Sequence, residues 1–275
     1  MILLNGEYKD HIEISDRGLQ YGDGLFETIA VLEGQAIFWD QHWQRLHSGC
    51  VRLGIPVPDA ELVKREAKRL CQDAQSAVLK IIVTRGSGGR GYRQPESIVP
   101  SRVLSLHPFP EYPHHYKELG IAARFCETRL GLNPSLAGMK HLNRLEQVLA
   151  RAEWTDASIQ EGIMLDINDH VIEGTMTNLF YIKNDTLNTS SIIHAGIAGI
   201  MRGIILSLWT GEGLPAVERT IAREELLSAE EVFVCNSIIG VWPVKRIEDS
   251  YFSVGPMTRQ IQFWVDRLTQ EARQS

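Results

Sequence analysis

Short runs in which apolar and polar residues alternate occur along most of the chain, and stretches with helical spacing separate them. Alternation with a period of two is typical of strands, and recurrence every three or four residues is typical of helices. The stretch "LFETIAVLEGQAIFW" predicts two strands joined by a turn at Glu33-Gly34, and further strands are predicted at 77–84 and 102–107. Helices are predicted from a cap at Asp40 to Gly54, and from near Asp59 to about Asp73.

The second half of the chain mixes strands and helices in an irregular order. "GIAARFCET" predicts a strand and "GLNPSLAGM" a loop, and short strands are predicted at about 162–166, 171–174 and 177–183. "GIMRGIILSLWTGEG" predicts a helix closed by glycine, and "EEVFVCNSIIGVWPV" predicts strands around a tight turn. This order is typical of two α+β or α/β subdomains and differs from a regular βαβ repeat.

The strongest helical pattern in the chain is "KHLNRLEQVLARAEWTDA". Its apolar residues recur on a single stripe, formed by Leu142, Leu145, Val148, Leu149 and Ala152. The pattern predicts a helix that begins at about Lys140. Upstream, "HPFPEYPHHYKELG" contains three prolines and two adjacent histidines, and this composition predicts a linker.

Composition narrows the possible classes of protein. The chain has 275 residues, of which 44% are hydrophobic and 23% charged, and its formal net charge is −6. This length is sufficient to bury one large core or two smaller ones. The acidic balance, with both signs interspersed, argues against nucleic acid or an anionic membrane as the main partner, because both are bound by basic surfaces.

Cysteine usage and the polar N-terminus predict a cytosolic protein. The four cysteines are widely spaced and form no C-x-x-C pair; they are Cys50, Cys71, Cys126 and Cys235. We expect them to be reduced and largely buried. The start "MILLNGEYKD" turns polar too soon for a signal peptide, and no apolar run approaches the roughly 18 residues of a membrane span.

The stretch "RGSGGRGY" follows the predicted buried strand "AVLKIIVT", and its Gly86, Gly88 and Gly91 match the dinucleotide-binding pattern G-x-G-x-x-G. In such sites the glycines open a helix whose N-terminus binds the pyrophosphate. Here Pro95 and Pro100 follow and prevent a normal helix, and no acid-terminated strand comes about 20 residues later. The glycines therefore predict a mobile loop beside a strand end, a common place for substrate binding.

Several familiar types of site are absent from the sequence. His42 and His47 lack the H-E-x-x-H pattern, and His114-His115 lies in the proline-rich stretch, so no metal site is predicted. No G-x-S-x-G elbow is present, and no cysteine has a recognisable catalytic context. His141 directly follows Lys140 and is predicted to be a structural or supporting group.

Two residues suggest Schiff-base chemistry, each with an ordinary alternative. Lys140, at the predicted helix start, experiences the positive end of the helix dipole, which disfavours its charged form. A neutral amine is what Schiff-base chemistry requires, and the alternative is a solvated surface lysine. Glu173 is an acid at a strand end among apolar neighbours, so it could keep a pyridinium nitrogen protonated or could be an exposed turn residue.

Two further features suit a phosphate group. Arg45 lies on a predicted helix and is either a phosphate ligand or a surface arginine. Gly199 precedes a predicted helix, so the backbone N–H groups of Ile200 and Met201 could bind an anion. The alternative is a glycine that only separates the helix from the preceding loop. Together with the lysine and the acid these are the parts of a pyridoxal phosphate site, although spacing alone does not establish that they converge.

Six motifs, in this order, resemble those of the fold-type IV pyridoxal-phosphate enzymes, a family that includes branched-chain and D-amino-acid aminotransferases and 4-amino-4-deoxychorismate lyase. They are "SDRGLQYGDGLFET", "HWQRL", "RGSGGRGY", "GMKHLNRLEQVLAR", "EGTMTNLFYI" and "GIAGIMR". The resemblance covers nearly the whole chain. "RLGLNPSLAGMK" and "KHLNRLEQVLAR" resemble the lyases more closely than the transaminases.

The resemblance implies a two-domain fold of the D-amino-acid aminotransferase type and a set of cofactor contacts. It implies a small N-terminal α/β domain at 1–110, a linker at 111–119 and a larger C-terminal domain at 120–275 that binds pyridoxal 5'-phosphate. The active site is expected between the domains, at the interface of a homodimer. The implied cofactor contacts are Lys140 as the Schiff-base lysine, Glu173 at the pyridine nitrogen, Ile197 at the ring face, and Arg45, Ser237 and the backbone of Ile200 and Met201 at the phosphate.

The resemblance to the lyases also implies a reaction, in which pyruvate is eliminated from aminodeoxychorismate to give 4-aminobenzoate for folate biosynthesis. Lys140 is expected to move the substrate proton, and Thr28 in "LFETIAV" matches a threonine that serves the leaving group in the lyases. Arg90 and Tyr92 in the glycine-rich loop are expected to bind the dianionic substrate. Glu27 stands where some lyases have a second threonine.

Two other functions stay open at this point. The first is a fold-type IV aminotransferase acting on D-amino or branched-chain amino acids, which keto-acid-dependent turnover of ordinary amino acids would reveal. The second is a non-catalytic binding or scaffold protein with the same fold, which would take up no cofactor. The leading prediction is a cytoplasmic, homodimeric lyase.

Overall fold

The strands predicted in the first third of the chain pair with one another in the computed structural model, which describes residues 1–274. The chain divides into two units. The first consists of Met1–Pro110, Met139–Asn143 and a C-terminal segment that starts at Thr269. The second consists of Glu111–Gly138 and Arg144–Leu268.

The first unit is an antiparallel sheet with helices. Its strands are β1 (Ile2–Leu4), β2 (Glu7–Tyr8), β3 (Gly24–Leu32), β4 (Gln35–Ala36), β5 (Ser76–Thr84) and β6 (Ser101–Pro108). They lie in the order β2-β1-β6-β5-β3-β4, and neighbouring strands are antiparallel. Its helices are α1 (Arg17–Tyr21), α2 (Trp39–Leu53) and α3 (Ala60–Cys71).

The alternating pattern of β3 explains how this sheet buries one face. Leu25, Ile29 and Val31 are no more than 2% exposed. Because successive side chains of a strand point to opposite faces, these three lie on one face together with Glu27. Helix α2 packs closely here, since a Cβ added at Gly49 would lie 2.7 Å from Leu25 Cδ1. The apolar run therefore forms the contact between the sheet and its helix layer.

The predicted boundaries in the first unit are confirmed with two exceptions, and the first is the second strand of "LFETIAVLEGQAIFW", which ends at Ala36, because the chain turns there and Trp39 already begins α2. The turn predicted at Glu33-Gly34 joins β3 to β4, and α2 is closed by Gly54. The cap predicted at Asp40 is wrong, because the residue at the start of α2 is Phe38, with φ of 57° and no side-chain cap. Asp40 lies in the first turn instead, where a negative charge still suits the helix dipole.

The second unit is a larger mixed sheet with helices. Its strands are β7 (Ile121–Leu130), β8 (Glu161–Asp166), β9 (His170–Gly174), β10 (Asn178–Lys183), β11 (Thr186–Ser190), β12 (Ala216–Arg219), β13 (Ile221–Ala222), β14 (Glu231–Asn236), β15 (Gly240–Ile247) and β16 (Ser250–Tyr251). Their order is β12-β11-β10-β14-β15-β7-β8-β9-β13, and β16 pairs with β15. The helices are α4 (His115–Leu119), α5 (Leu145–Arg151), α6 (Ile200–Gly211), α7 (Arg223–Leu227) and α8 (Pro256–Ala272), whose last residues belong to the first unit.

The inner strands of this sheet are buried on both faces, as their nearly continuous apolar sequences require. Ile163 and Leu165 of β8 belong to one apolar core, and Met164 between them belongs to another core that includes Trp154. All three β8 side chains are at most 1% exposed. The strands predicted at about 162–166, 171–174 and 177–183 are confirmed to within a residue at each end.

The proline-rich segment at 111–119 packs on the second unit. Tyr112 and Tyr116 meet Trp242 edge to face, with ring centroids 4.8 and 5.3 Å away. The short helix α4 forms inside this segment. No helix of the described residues is both long and apolar enough to cross a membrane.

The helix predicted to begin at about Lys140 is wrong at its start. Helix α5 begins only at Leu145, because the preceding residues pair with β3: Phe26 N–H donates to Lys140 O at 3.0 Å, and Leu142 N–H donates to Gly24 O at 3.0 Å. The predicted apolar stripe is also not buried in its own unit, since Leu145, Val148 and Leu149 are 76%, 60% and 60% exposed.

Candidate active site

Lys140 lies in the segment Met139–Asn143, which adds to the edge of the first sheet beside β3. Its Nζ is 4.4 Å from the ring centroid of Phe26, within the range of a cation–π contact. Thr28 is two residues after Phe26 on the same strand, so its side chain lies on the same face. The structure thus brings the two predicted catalytic residues to one face of the first sheet.

The structure removes the reason that sequence analysis gave for an unusual amine. That reason was the positive end of a helix dipole, and the effect of a dipole is confined to the first turn of a helix. Because α5 begins at Leu145, Lys140 is outside that turn. Lys140 instead contacts the ring of Phe26, and its backbone pairs with β3.

A second lysine, Lys80, was missed by sequence analysis. It lies on β5 directly opposite Thr28, and its Nζ is 5.5 Å from the ring centroid of Phe26. Ser105 on β6 is opposite Lys80 in turn. The side chains of Thr28, Lys80 and Ser105 therefore lie side by side across β3, β5 and β6. The available signal was a lysine in the middle of "AVLKIIVT", where a charged residue is rare among apolar neighbours.

Glu27 points to the opposite face of β3 and forms a buried cluster with α2. Arg45 donates to both carboxylate oxygens, from Nε to Oε1 at 2.8 Å and from Nη2 to Oε2 at 2.5 Å. His42 Nδ1 is 2.6 Å from Oε2. Burial acts to raise the pKa of Glu27, but the charge of Arg45 and the hydrogen bonds from Arg45 and His42 outweigh it and lower the pKa to about 2. Glu27 is therefore ionised at neutral pH, and it fixes the orientation of Arg45.

The surroundings of His42 favour its neutral form. Burial lowers the pKa of His42, and although Glu27 opposes this, the charges of Arg45 and Lys140 lower it further. In the neutral ring the Nδ1–H donates to Glu27, which leaves Nε2 as an acceptor. Nε2 is buried and has no hydrogen-bond partner in the part of the chain that the structure describes.

In the second unit, Glu173 is a buried acid and not the exposed turn residue of the ordinary alternative. It lies at the end of β9 and is 3% exposed. Its Oε2 accepts a hydrogen bond from Ile197 N–H at 2.8 Å. Asn178, which sequence analysis did not identify, donates from Nδ2 to Ile197 O at 2.9 Å and lies 3.5 Å from the same carboxylate oxygen. Asn178 therefore joins Glu173 to the segment that carries Ile197.

The start of α6 lies against the same asparagine. A Cβ added at Gly199 would lie 1.9 Å from Asn178 Oδ1, so any larger residue at this helix start would displace the Asn178 amide. No side chain caps the helix, and the first backbone N–H groups of any helix, here those of Ile200 and Met201, have no acceptor within it. The structure thus brings together Glu173, Ile197 and an uncapped helix N-terminus, which is a favourable place for an anion.

Ser237 lies in the turn that follows β14, and β14 is the strand next to β10. Cys235 of β14 is paired with Asn178 of β10. Asn236 fixes the turn by accepting from the N–H groups of Ile238 and Ile239, and it donates from Nδ2 to Met176 O at 3.1 Å. The turn with Ser237 is therefore held beside the turn that links Glu173 to Asn178.

That second turn is organised by Glu161, another residue that sequence analysis missed. The Glu161 carboxylate is fully buried, and it accepts from the backbone and hydroxyl of Thr175 at 3.0 and 2.6 Å and from the hydroxyl of Thr177 at 2.9 Å. Burial raises the pKa of Glu161, while these hydrogen bonds oppose the rise. The two threonines of "EGTMTN" thus wrap an internal carboxylate, which fixes the backbone between Glu173 and Asn178.

Arg90 and Tyr92 lie on the loop after β5 and not on a strand face. Tyr92 is 89% exposed, and its ring meets that of Tyr21 edge to face with centroids 5.6 Å apart. Arg90 is also exposed. The loop contains no helix, so the interpretation of its glycines as something other than a dinucleotide site is consistent with its backbone.

Comparison with known proteins adds an independent finding. A family model described as amino-transferase class IV matches residues 24–247. An aminodeoxychorismate lyase of Vibrio harveyi is 38% identical over 266 residues, which cover 95% of this chain and 98% of the relative. The crystal structure of 4-amino-4-deoxychorismate lyase from Pseudomonas aeruginosa matches with a TM-score of 0.94 and 42% identity, covering 99% of this chain and 100% of that one. A D-alanine aminotransferase of Bacillus licheniformis is 28% identical over 272 residues, covering 95% of this chain and 94% of the relative.

Proposed function

The chain belongs to the class IV aminotransferase family, and on that premise we propose that it acts as a pyridoxal-phosphate-dependent aminodeoxychorismate lyase. The reaction eliminates pyruvate from aminodeoxychorismate and leaves 4-aminobenzoate, a precursor of folate. The observation that carries the proposal is the identity of 38% and 42% to two lyases along nearly the whole chain, against 28% to a D-alanine aminotransferase.

The side chains present fit pyridoxal 5'-phosphate. Lys140 offers an amine to the aldehyde, and Glu173 offers a buried carboxylate that can keep the pyridine nitrogen protonated. When bound, the cofactor supplies an electron-withdrawing ring that accepts electrons when a substrate C–H bond breaks. The remaining contacts that we propose are Arg45, Ser237 and the backbone N–H groups of Ile200 and Met201 for the phosphate, and Ile197 for the ring face.

Residues on the Phe26 face of the first sheet would perform the proton transfers. The Lys140 amine would remove the proton from C4 of the substrate, and the Thr28 hydroxyl would donate a proton to the departing enolpyruvyl group, which leaves as pyruvate. Lys80, directly opposite Thr28, would pair with a substrate carboxylate. Arg90 and Tyr92 are proposed to bind the substrate from the loop.

A pair of Thr28 variants tests this assignment. Thr28→Val keeps the shape of the side chain but removes the hydroxyl, so we expect 4-aminobenzoate formation to fall about 10²-fold or more while the cofactor stays bound. Thr28→Ser restores the hydroxyl and is expected to recover most of the rate. Equal rates for wild type and Thr28→Val, measured without any keto acid, would remove Thr28 from the mechanism.

The aminotransferase alternative rests on identities of 30% to a putative branched-chain-amino-acid aminotransferase of Methanocaldococcus jannaschii and 28% to the D-alanine aminotransferase. It predicts keto-acid-dependent turnover of D-amino or branched-chain amino acids by the holoenzyme. The lyase needs no keto acid. A transamination rate that exceeds the lyase rate on the same preparation would favour the alternative.

The assembly and location of the protein are also part of the proposal. We propose a homodimer, because the exposed side chains of Leu145, Val148 and Leu149 form an apolar face on α5 that a second copy could cover. The molar mass from light scattering checks this. We propose a cytoplasmic location, which four buried free thiols support; fractionation of cells would check it.

We further propose residues 1–110 as the small domain, 111–119 as the linker and 120–275 as the cofactor-binding domain.

A further inference from the structure

Arg17, in the motif "SDRGLQYGDG", has no part in the proposed reaction, yet its side chain is only 5% exposed. Its Nη1 lies 2.9 Å from Gly91 O, 3.4 Å from Arg93 O and 3.5 Å from Gly88 O. One nitrogen of the guanidinium group therefore faces three backbone carbonyls of the glycine-rich loop, residues 85–93. The guanidinium also lies 4.9 Å from the ring centroid of Tyr21.

The other side of Arg17 is fixed by a buried ion cluster. Asp23 Oδ2 accepts from Arg17 Nε at 2.9 Å and from Arg85 Nε at 2.8 Å. Arg85 also donates to Leu53 O at 2.8 Å and Gly54 O at 2.9 Å, at the C-terminal end of α2. Burial acts to raise the pKa of Asp23, but the two arginines outweigh it and lower the pKa. The cluster therefore links the glycine-rich loop to a rigid helix end.

The backbone of the loop needs such an external support. Gly86 and Gly89 have φ of 82° and 79°, and a Cβ at Gly86 would lie 1.9 Å from Val99 O. At Gly89 a Cβ would lie 2.5 Å from Arg93 O and 3.2 Å from Arg17 Nη1. Glycines allow this shape, but they also give the unfolded loop many alternatives. Hydrogen bonds from the Arg17 guanidinium, which is itself held in place, stabilise one of these loop conformations.

We propose that Arg17 is a positioning residue, which holds the glycine-rich loop in one conformation and thereby places Arg90 and Tyr92 for the substrate. The Tyr21 ring extends this support, since it stacks under Arg17 and meets Tyr92 at its edge. The contacts to the loop stand on their own, and the link to substrate rests on the proposed function.

Limited trypsin digestion of the cofactor-free protein tests the loop directly, because cleavage after the exposed Arg90 and Arg93 becomes faster when the loop leaves its compact form and can extend into the protease. We compare Arg17→Gln and Arg17→Lys with wild type. Asp23 keeps Arg85 as its partner in both variants, so the fold should be retained. Arg17→Gln is expected to raise the rate of these two cleavages about tenfold, and Arg17→Lys to give an intermediate rate.

Arg102→Gln is the matched control. Arg102 forms a bidentate ion pair with Glu66, with both N–O distances at 2.7 Å. It lies in the same unit as Arg17 and its side chain is buried to a similar extent, but among the described residues its side chain bonds Glu66 and not the loop. It is expected to leave cleavage after Arg90 and Arg93 unchanged. Equal acceleration in Arg102→Gln and Arg17→Gln, or no acceleration in Arg17→Gln, would overturn the proposal, because either result shows no specific hold on the loop.

Steady-state kinetics of the holoenzyme test the link to substrate. Arg17→Gln is expected to raise the KM for aminodeoxychorismate about tenfold with a smaller change in kcat, because it weakens binding without removing a proton-transfer group. An unchanged KM together with faster cleavage would overturn the link to Arg90 and Tyr92. If wild type lacks lyase activity, the proposed function fails, and digestion still decides whether Arg17 holds the loop.

Discussion

At the scale of single residues, three buried carboxylates show how the partners of an acid set its role. Glu27 faces Arg45 and stays charged. Glu161 has hydroxyl and backbone donors, and burial raises its pKa. Glu173 accepts from one backbone N–H beside Asn178, in a position suited to a pyridinium nitrogen. The same side-chain type thus orients a cation, organises a turn and can serve a cofactor.

Glu27→Gln is expected to destabilise the protein. The substitution removes the carboxylate that pairs with the buried Arg45 guanidinium, and breaking a buried pair in this way costs about 3–5 kcal/mol of unfolding free energy. Urea denaturation of the cofactor-free protein at pH 7 measures this. Glu7→Gln, at an exposed carboxylate, is the control and should change little. A similar small change at both positions would show that the Glu27 pair does not stabilise the unit.

The same residue predicts a pH dependence. The pKa of Glu27 is about 2 in the folded protein, below its ordinary value of 4.5. Its stabilisation is therefore fully present above pH 4.5 and is lost as the pH falls from 4.5 towards 2. The difference in unfolding free energy between wild type and Glu27→Gln should shrink over this window. A difference that stays constant from pH 7 to pH 3 would contradict the lowered pKa.

Residues whose chemistry is visible in a motif can be proposed from the sequence, whereas residues whose role depends on distant contacts cannot. Lys140 and Thr28 were proposed in this way, the structure places them on one sheet face, and their catalytic roles stay predictions. Lys80 could not be assigned, because its relation to Thr28 exists only once β5 pairs with β3. Nothing in the local sequence distinguishes Glu161 from a surface acid, because its hydrogen bond with Thr175 forms only in the folded chain.

At the scale of elements, the start of α6 depends on one glycine. A Cβ at Gly199 would displace Asn178, which is bonded to Ile197 and lies beside Glu173. Gly199→Ala is therefore expected to weaken binding of pyridoxal phosphate about tenfold or more, as measured by titrating the cofactor-free protein and following absorbance.

Gly203→Ala, in the same helix, is the matched control. A Cβ at Gly203 meets nothing within 4 Å, so the substitution should leave affinity unchanged and, as alanine is the better helix former, slightly stabilise α6. Equal affinity for the two alanine variants would show that the fit at Gly199 does not control the cofactor contacts.

The segment before α5 shows where local patterns mislead. "KHLNRLEQVLAR" has helical spacing throughout, but the backbone of Lys140 and Leu142 pairs with β3 and cannot also begin a helix. This pairing joins residues more than a hundred positions apart, so no local window reveals it. Strands such as β5 and helices such as α3 were predicted well, because their periodicity and caps are contained within them.

At the scale of the whole molecule, the fold-type IV prediction is confirmed by the family match over residues 24–247 and by a TM-score of 0.94 to a lyase of 42% identity. Composition and periodicity alone gave only a mixture of strands and helices in two parts. The fold family was predicted from the order of the motifs along the chain, because six short motifs in the order typical of a family are far more specific than any one of them.

The lyase assignment is tested by measuring the release of 4-aminobenzoate and pyruvate from aminodeoxychorismate by the holoenzyme, with Lys140→Ala assayed beside it. Wild type is expected to release equal amounts of the two products without a keto acid, and Lys140→Ala is expected to release none above the uncatalysed rate. A wild-type protein that carries the cofactor but releases no 4-aminobenzoate would contradict the lyase assignment. An active Lys140→Ala variant would contradict the role of the lysine.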